Sequence, residues 1–190
     1  RDNPHGATWT PNPDNLRVCL TKLEPRQRGL FAAAWTLGYI ATFARTGVEA
    51  IAMGAPTGPL GIIYRKAEHK QPWYDQLSAP AVFPAYHVIS GLGRGAGQKM
   101  VDTESSDAAK VQSLAYKGKG GTTLWLANLT AESQPVKLSG ASGSIFGTTL
   151  DEDSFVMATT NPRGFQNSWK AMKDTLTLKR YAVAVISIND

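Results

Sequence analysis

One cysteine, Cys19, stands among the 190 residues, so no disulfide can close within the chain and no cluster of thiolates can hold a metal. A lone cysteine of this kind reads as a small buried hydrophobe. Histidine is scarce as well: His5, His69 and His87 show none of the spacings by which imidazoles share an ion. Neither a metal nor another cofactor is therefore expected. No apolar run approaches the roughly 20 residues that a membrane span needs, so no membrane is expected among the partners. The net charge of +5 is modest and uneven, with eleven basic and six acidic residues before position 101 and nine of each after it. The positive residues come singly or in pairs (Arg26 and Arg28, Arg65 and Lys66, Lys179 and Arg180) without a stripe or interleaved stacking aromatics, which argues against a nucleic acid. The first residues, Arg1 to Gly6, lack both an initiating methionine and the apolar core of a secretion signal. The chain is thus expected to begin inside a longer gene product, and no compartment is indicated.

What the chain does have is 42% hydrophobic residues, enough to bury a sizeable core in one large domain or two small ones. Residues 1–15, crowded with Pro, Asn, Asp and Gly, read as an irregular loop. Between Pro25 and Thr46, apolar residues including Leu30, Ala34, Trp35, Leu37 and Ala41 recur at helical spacings. Pro25 suits the first turn of that helix and Gly47 the position just past its end. Val48 to Gly54 is short, apolar and not alternating, the pattern of a strand covered on both faces. Pro56, Gly58 and Pro59 force a loop, and a second apolar helix is expected from Phe83 to Leu92, ending at Gly91 or Gly93. Helix, covered strand, loop and helix make an α/β pattern. One parallel strand cannot complete its ladder alone, so its neighbours are expected from a missing amino-terminal part or from a partner chain.

Past residue 100 the period changes from 3.6 to 2. Residues 111–116, 122–129, 136–138, 144–149, 155–159, 175–178 and 181–188 are β-rich runs separated by turn residues such as Lys119-Gly120-Gly121. Six or seven of them fit a small antiparallel sandwich. The last run places Ala182, Ala184, Ile186 and Ile188 on one side and Tyr181, Val183 and Val185 on the other. Apolar on both sides, it is expected to be covered twice and to pin the sandwich against the helices. The two units are expected at residues 1–100 and 105–190.

Several signatures of chemistry fail. Gly91-Leu92-Gly93-Arg94-Gly95-Ala96 has the loose form of a dinucleotide fingerprint but follows a helix where it should open one, and reads as an interdomain linker. Ser142 lacks the following glycine of a nucleophile elbow, Ser144 standing there. Glu49 lies at the start of the covered strand, opposite to the end where barrel chemistry sits. Asn128-Leu129-Thr130 is a glycosylation triplet of a kind that arises often by chance.

Phe31-Ala32-Ala33-Ala34-Trp35-Thr36-Leu37-Gly38, Gly47-Val48, Thr57-Gly58-Pro59-Leu60-Gly61 and Val82-Phe83-Pro84-Ala85-Tyr86-His87-Val88 together resemble the last helix, strand and helix of the D-apionate lactonase family. Asn3-Pro4-His5-Gly6-Ala7-Thr8 resembles that family's loop after the seventh strand, with one extra residue, and the runs at 124–129, 136–138 and 176–188 resemble strands of its accessory sandwich. The resemblance implies an α/β plus all-β chain: the last units of a glycoside-hydrolase-like (β/α)8 barrel followed by an antiparallel β-sandwich. It implies a sugar or a sugar-acid lactone as ligand. Where the family's eighth strand ends on Glu, two threonines and Gly, this chain has Ala55-Pro56-Thr57-Gly58, so only Thr57 and Gly58 carry over.

In such a barrel the loops after strands seven and eight lie on the catalytic face. The resemblance then makes Asp2 the expected general base and His5 the proton shuttle, with Arg1 clamping a carboxylate or carbonyl oxygen and Asn3 bonding a sugar hydroxyl. Thr57 would belong to the second loop. Each of these residues could instead belong to a frayed terminal loop or form a turn, and for Asp2 and Asn3 that alternative weighs equally. Among the aromatics, Trp35 and Trp125 are expected in the core, His87 in a packed or capping role, and the pair Trp73 and Tyr74, on the polar connection Gln71 to Asp75, against a ligand. Two functions stay open: part of a carbohydrate-active hydrolase with its remaining catalytic groups outside this sequence, or a non-catalytic carbohydrate-binding or structural module.

Overall fold

A computed structural model of the chain describes residues 24–58, 60–118 and 120–189. The first helix divides at Gly29. Pro25–Arg28 is a 3-10 turn, opened by the Glu24 carboxylate, which accepts from the Arg26 backbone N–H at 3.0 Å and from its guanidinium at 2.7 Å. Helix α1 then runs Leu30–Ala44, and Gly47 turns the chain beyond it at φ 77°. Small side chains on α1 (Ala33, Ala34, Ala41) and Leu37 enter one core with Val88 of helix α2, Ala85–Arg94. Trp35 departs from expectation. It is 52% exposed and stacks on Tyr39 at 5.1 Å, which in turn meets Phe43 at 4.5 Å. A helix that is apolar all round does not reveal from periodicity which stripe meets which neighbour; here the small residues face the sheet and the large rings the other way.

The covered strand expected from Val48 to Gly54 forms no ladder with any described residue, and Val48 is 43% exposed. A parallel bridge between Ala55 and Gly61 follows it. The physical reason is the one already given for parallel strands: the ladder is inter-segment, and no second barrel strand stands beside this one among the described residues.

The chain then enters strands β1 (Lys99–Val101), β2 (Val111–Gly118), β3 (Gly121–Asn128), β4 (Gln134–Lys137) and β5 (Ser144–Leu150). Helices α3 (Phe155–Thr160) and α4 (Pro162–Gln166) precede β6 (Lys170–Ala171), β7 (Thr175–Leu178) and β8 (Val183–Asn189). Six strands form one antiparallel sheet in the order β1-β2-β3-β8-β5-β6, and β4 pairs with β7 in a second. Leu124, Leu126, Ala184 and Ile186 meet Leu178 between the two sheets, whereas Leu114, Trp125 and Val183 meet α1 and α2 on the opposite face. The final strand is therefore covered twice, as its alternation implies.

The run Phe155–Thr159, expected as a strand, is helical. Asp151 Oδ1 accepts from the N–H groups of Asp153 and Ser154, and Ser154 Oγ donates to the Thr149 carbonyl at 2.8 Å, which curls the chain off the end of β5. Asn161 then caps α4 by accepting from the Gly164 N–H at 3.0 Å, with Pro162 in the first turn. Five residues are too few for hydrophobic period to separate helix from strand.

The linker reading of Gly91 to Ala96 is also overturned, because α2 runs through Gly91 and Gly93 to Arg94. These glycines include points of close approach. A Cβ on Gly91 would lie 2.4 Å from Cη2 and Cζ2 of Trp125, and one on Gly95 would lie 2.5 Å from Cζ of Tyr116. Alanine in a helix normally gains about 1 kcal/mol over glycine, but overpacking a filled contact costs about 1–3 kcal/mol. Gly91→Ala is expected to lower stability by about 1–2 kcal/mol in denaturant titration. Gly93→Ala, with nothing within 4 Å of its Cβ, should raise it by about 0.5–1 kcal/mol. Equal responses would refute the close-approach reading.

Candidate functional site

Arg1, Asp2, Asn3, His5 and Cys19 lie outside the described residues. The second expected loop is well defined. Gly54 and Gly58 adopt φ 89° and 93°, the Pro56 carbonyl accepts from the N–H groups of both Ile62 and Ile63, and the Gly61 N–H closes on Gly58 O at 3.0 Å. Thr57 sits half-buried at this turn. The 3-10 turn holds the two ends of the connection together: Gln27 Nε2 donates to Gly61 O at 3.1 Å, and an Arg28 guanidinium N–H donates to Lys70 O at 3.3 Å.

Trp73 and Tyr74, expected as a pair, separate in role. Tyr74 is buried, its ring edge-on to Phe83 and Trp73, both with centroids 4.9 Å away, and its hydroxyl donates to Arg28 O at 2.7 Å. Burial pushes its phenol well above the usual range, so it stays a neutral donor. Tyr74 is thus a packing residue, and the expectation that it touches ligand is corrected: a polar sequence neighbourhood does not keep a ring in solvent when Tyr64, Phe83 and Trp73 are there to cover it. Trp73 is half-buried, lies 5.2 Å from Phe155 of α3, and has φ 70°, a left-handed conformation that is strained for a tryptophan. Asp75 stabilises this turn. Its carboxylate accepts from the Gln71 N–H at 2.6 Å and the Tyr64 hydroxyl at 2.9 Å, and the Gln71 bond foremost holds its pKa below the usual value.

His87, assigned a packed role by the sequence, is buried edge-on to Phe165 at 4.6 Å. Its Nε2 lies 2.9 Å from the Ala158 carbonyl, which makes Nε2 the donor and leaves Nδ1 as an acceptor with no hydrogen-bond partner. Burial lowers its pKa, so the folded ring is neutral. Because the unfolded chain takes up a proton first, near pH 6.5, the contribution of the neutral ring is complete above that pH and is lost as pH falls toward the lower folded value. The wild-type melting temperature is expected to drop between pH 7.5 and 5.5, and His87→Gln to flatten that drop. An unchanged pH dependence in the variant would sink this assignment.

One feature went unforeseen in the sequence: a cavity of about 160 Å³ between α2, α4 and the sheet, lined by His87, Arg94, Trp125, Gln166 and Trp169 among others. The signal for it was present in Gly91 and Gly95, one helical turn apart, which bring α2 down onto the rings of β2 and β3.

Two family models match in succession. The TIM barrel domain of D-apionate lactonase covers residues 1–97, and its C-terminal immunoglobulin-like domain covers residues 108–186. The chain belongs to the D-apionate lactonase family. A curated D-apionate lactonase from Brucella anthropi is 28% identical over 139 residues, which is 73% of this chain and 21% of that protein. The chain therefore spans about a fifth of the length of that relative. The crystal structure of a bifunctional glucanase-xylanase from a metagenome library superposes with a TM-score of 0.51 at 15% identity, over 86% of this chain and 29% of that one. That likeness shows the fold: barrel elements followed by an antiparallel sandwich. Within the D-apionate lactonase family, α1, the segment at 48–54 and α2 belong to the TIM barrel domain, and the eight strands lie mostly in the immunoglobulin-like one.

Proposed function

We propose that this member of the D-apionate lactonase family is the part of a sugar-lactone hydrolase that carries the end of the barrel and the accessory sandwich, with its remaining catalytic groups outside this sequence. The observation that carries the reading is that both domains of one family match in order along a single chain. On this reading the amino-terminal loop supplies Asp2 as general base for the attacking water, His5 as proton shuttle, Arg1 as clamp on a carboxylate or carbonyl oxygen and Asn3 as a hydroxyl partner. Thr57 and Trp73 contribute to the wall of the same site from the connection that the 3-10 turn holds. Strands from a preceding barrel part or a partner chain would pair with residues 48–54 and cover the rings of Trp35, Tyr39 and Phe43.

The second reading, a non-catalytic carbohydrate-binding or structural module, is favoured by Ala55 and Pro56, which put no carboxylate at the end of the eighth-strand segment. A pH-stat assay of the full-length protein containing this chain, against a panel of sugar-acid lactones, separates the two. The first reading expects hydrolysis, with Asp2→Asn reducing kcat by about 10²–10⁴-fold. Sugar binding without turnover would establish the second.

A further inference from the structure

The immunoglobulin-like domain reaches back to the loop that follows the segment at 48–54. Helix α3, Phe155–Thr160, falls within residues 108–186, whereas Trp73, Val82 and His87 fall within residues 1–97. Three contacts join them. The rings of Phe155 and Trp73 lie 5.2 Å apart, the Val82 N–H donates to Thr159 O at 3.1 Å, and His87 Nε2 donates to Ala158 O at 2.9 Å. Phe155 also packs against the buried cluster of Tyr74, Ala81 and Phe83. Its partner Trp73 has φ 70° and ψ −50°, a conformation that suits glycine and strains a residue with a Cβ. Hydrogen bonds on both sides fix that turn: Gln71 O accepts from the Asp75 N–H at 3.0 Å, Trp73 O accepts from the Gln76 N–H at 3.1 Å, and the buried Gln71 amide donates to Arg65 O at 2.8 Å. Glycine would make the same turn without strain, so the turn by itself does not require an indole. Covering Tyr74 uses part of the ring, and Trp73 stays half-buried on a loop of the catalytic face.

We infer that Phe155 is a positioning residue: from the sandwich it fixes the Trp73 indole on which the sugar ring of the substrate stacks. This rests on the hydrolase reading above and deepens it, since it gives the accessory domain a part in holding the substrate. An indole offers an apolar surface to the C–H face of a sugar, and an aromatic partner at 5.2 Å limits the freedom of that indole before the sugar arrives. Such a contact is made equally in the ground state and the transition state, so it sets KM and leaves kcat alone. Phe155 itself acts through Trp73 and does not touch the sugar. The two backbone-carbonyl bonds, at Ala158 and Thr159, hold α3 at the distance where the rings meet.

Kinetics of the full-length protein containing this chain, on the same panel of sugar-acid lactones, test the role. Phe155→Ala is expected to raise KM by about three- to tenfold with kcat unchanged. Trp73→Ala should raise KM at least as much, and the double variant should match Trp73→Ala alone, because Phe155 acts only through that ring. Phe155→Tyr, which keeps a ring, should restore KM, and Val156→Ser, at the 58% exposed neighbour on α3, should leave it unmoved. If Phe155→Ala does not fold, Phe155→Leu serves in its place with a smaller rise of the same kind. A second readout needs no turnover. In protein labelled with fluorotryptophan, the Trp73 resonance, assigned by its absence in Trp73→Phe, should shift in Phe155→Leu without ligand and in the wild type on addition of the sugar acids of the panel. Additive KM effects in the double variant, a fall in kcat at constant KM, an equal effect from Val156→Ser, or a Trp73 resonance indifferent to every sugar acid would each overturn the inference. A protein that hydrolyses no lactone while its Trp73 resonance moves with sugar acid and with Phe155→Leu fails the hydrolase reading and keeps Phe155 as the positioning residue of a binding site. Turnover with a KM indifferent to Phe155 does the reverse.

Discussion

Removal of residues 181–190 is expected to leave no soluble folded protein. The segment holds β8, which pairs with β3 on one side, Trp125 opposite Val185, and with β5 on the other, Thr148 opposite the same residue. Its two faces enter two different cores: Val183 packs with the helices, and Ala184 and Ile186 pack between the sheets. Burying a Val or Ile side chain contributes about 1.5–3 kcal/mol, and a domain's whole stability is about 5–15 kcal/mol. Loss of Val183, Ile186 and two ladders at once takes away a large share of that margin, and it leaves β3 and β5 as bare apolar edges prone to aggregation. Expression and fractionation of the truncated protein decide the point. A soluble product with an unchanged melting temperature would show β8 to be peripheral.

Asn128→Leu is expected to cost about 3–5 kcal/mol, because it leaves several buried groups unpaired at about 1–3 kcal/mol each. Asn128 is fully buried. Its amide nitrogen donates to the carbonyls of Glu132, Leu178 and Lys179 at 2.7, 3.1 and 2.8 Å, and its Oδ1 accepts from the Thr130 N–H at 2.9 Å and its hydroxyl at 2.8 Å. One side chain thus ties the end of β3 to its own outgoing turn and to the turn between β7 and β8. Leucine fills the volume and bonds none of these groups. Guanidinium unfolding checks the figure, and Asn128→Asp, which sets a carboxylate against three carbonyls, should do no better. A loss under about 1 kcal/mol would mean that water satisfies the carbonyls. The same geometry bears on the glycosylation triplet: the amide nitrogen that a glycan would modify is enclosed and engaged in the folded chain.

How much of this was legible varies by element. The alternation in residues 181–188 marked which residues face which core, since a strand's period of two leaves no ambiguity once both faces are apolar. Helix α1 was legible as a helix, but Trp35 was placed in the core and is exposed, because an all-round apolar helix carries no mark of its partner. Residues 155–159 failed for lack of length: Val156 and Thr159 favour strands in the abstract, and the turn set by Asp151 and Ser154 overrode them. Gly91 was taken for flexibility when its service is proximity to Trp125, a distinction that exists only once two elements meet. At the site, Thr57 was correctly placed on a tight loop, while the burial of Tyr74 depended on Phe83 and Arg28, distant in sequence.

The core that joins α1 and α2 to β3, β5 and β8 makes the boundary between family domains a boundary in sequence alone. A cut between residues 97 and 108 would strip Leu37 and Val88 from Trp125, Phe165 and Val183, opening apolar surface on both products. Heat should melt the described halves together, as one calorimetric peak. Recombination during descent meets the same constraint: a sandwich transplanted to another barrel must bring these two helices with it, or find on its new host a pair whose small residues and glycines fall at the same spacing.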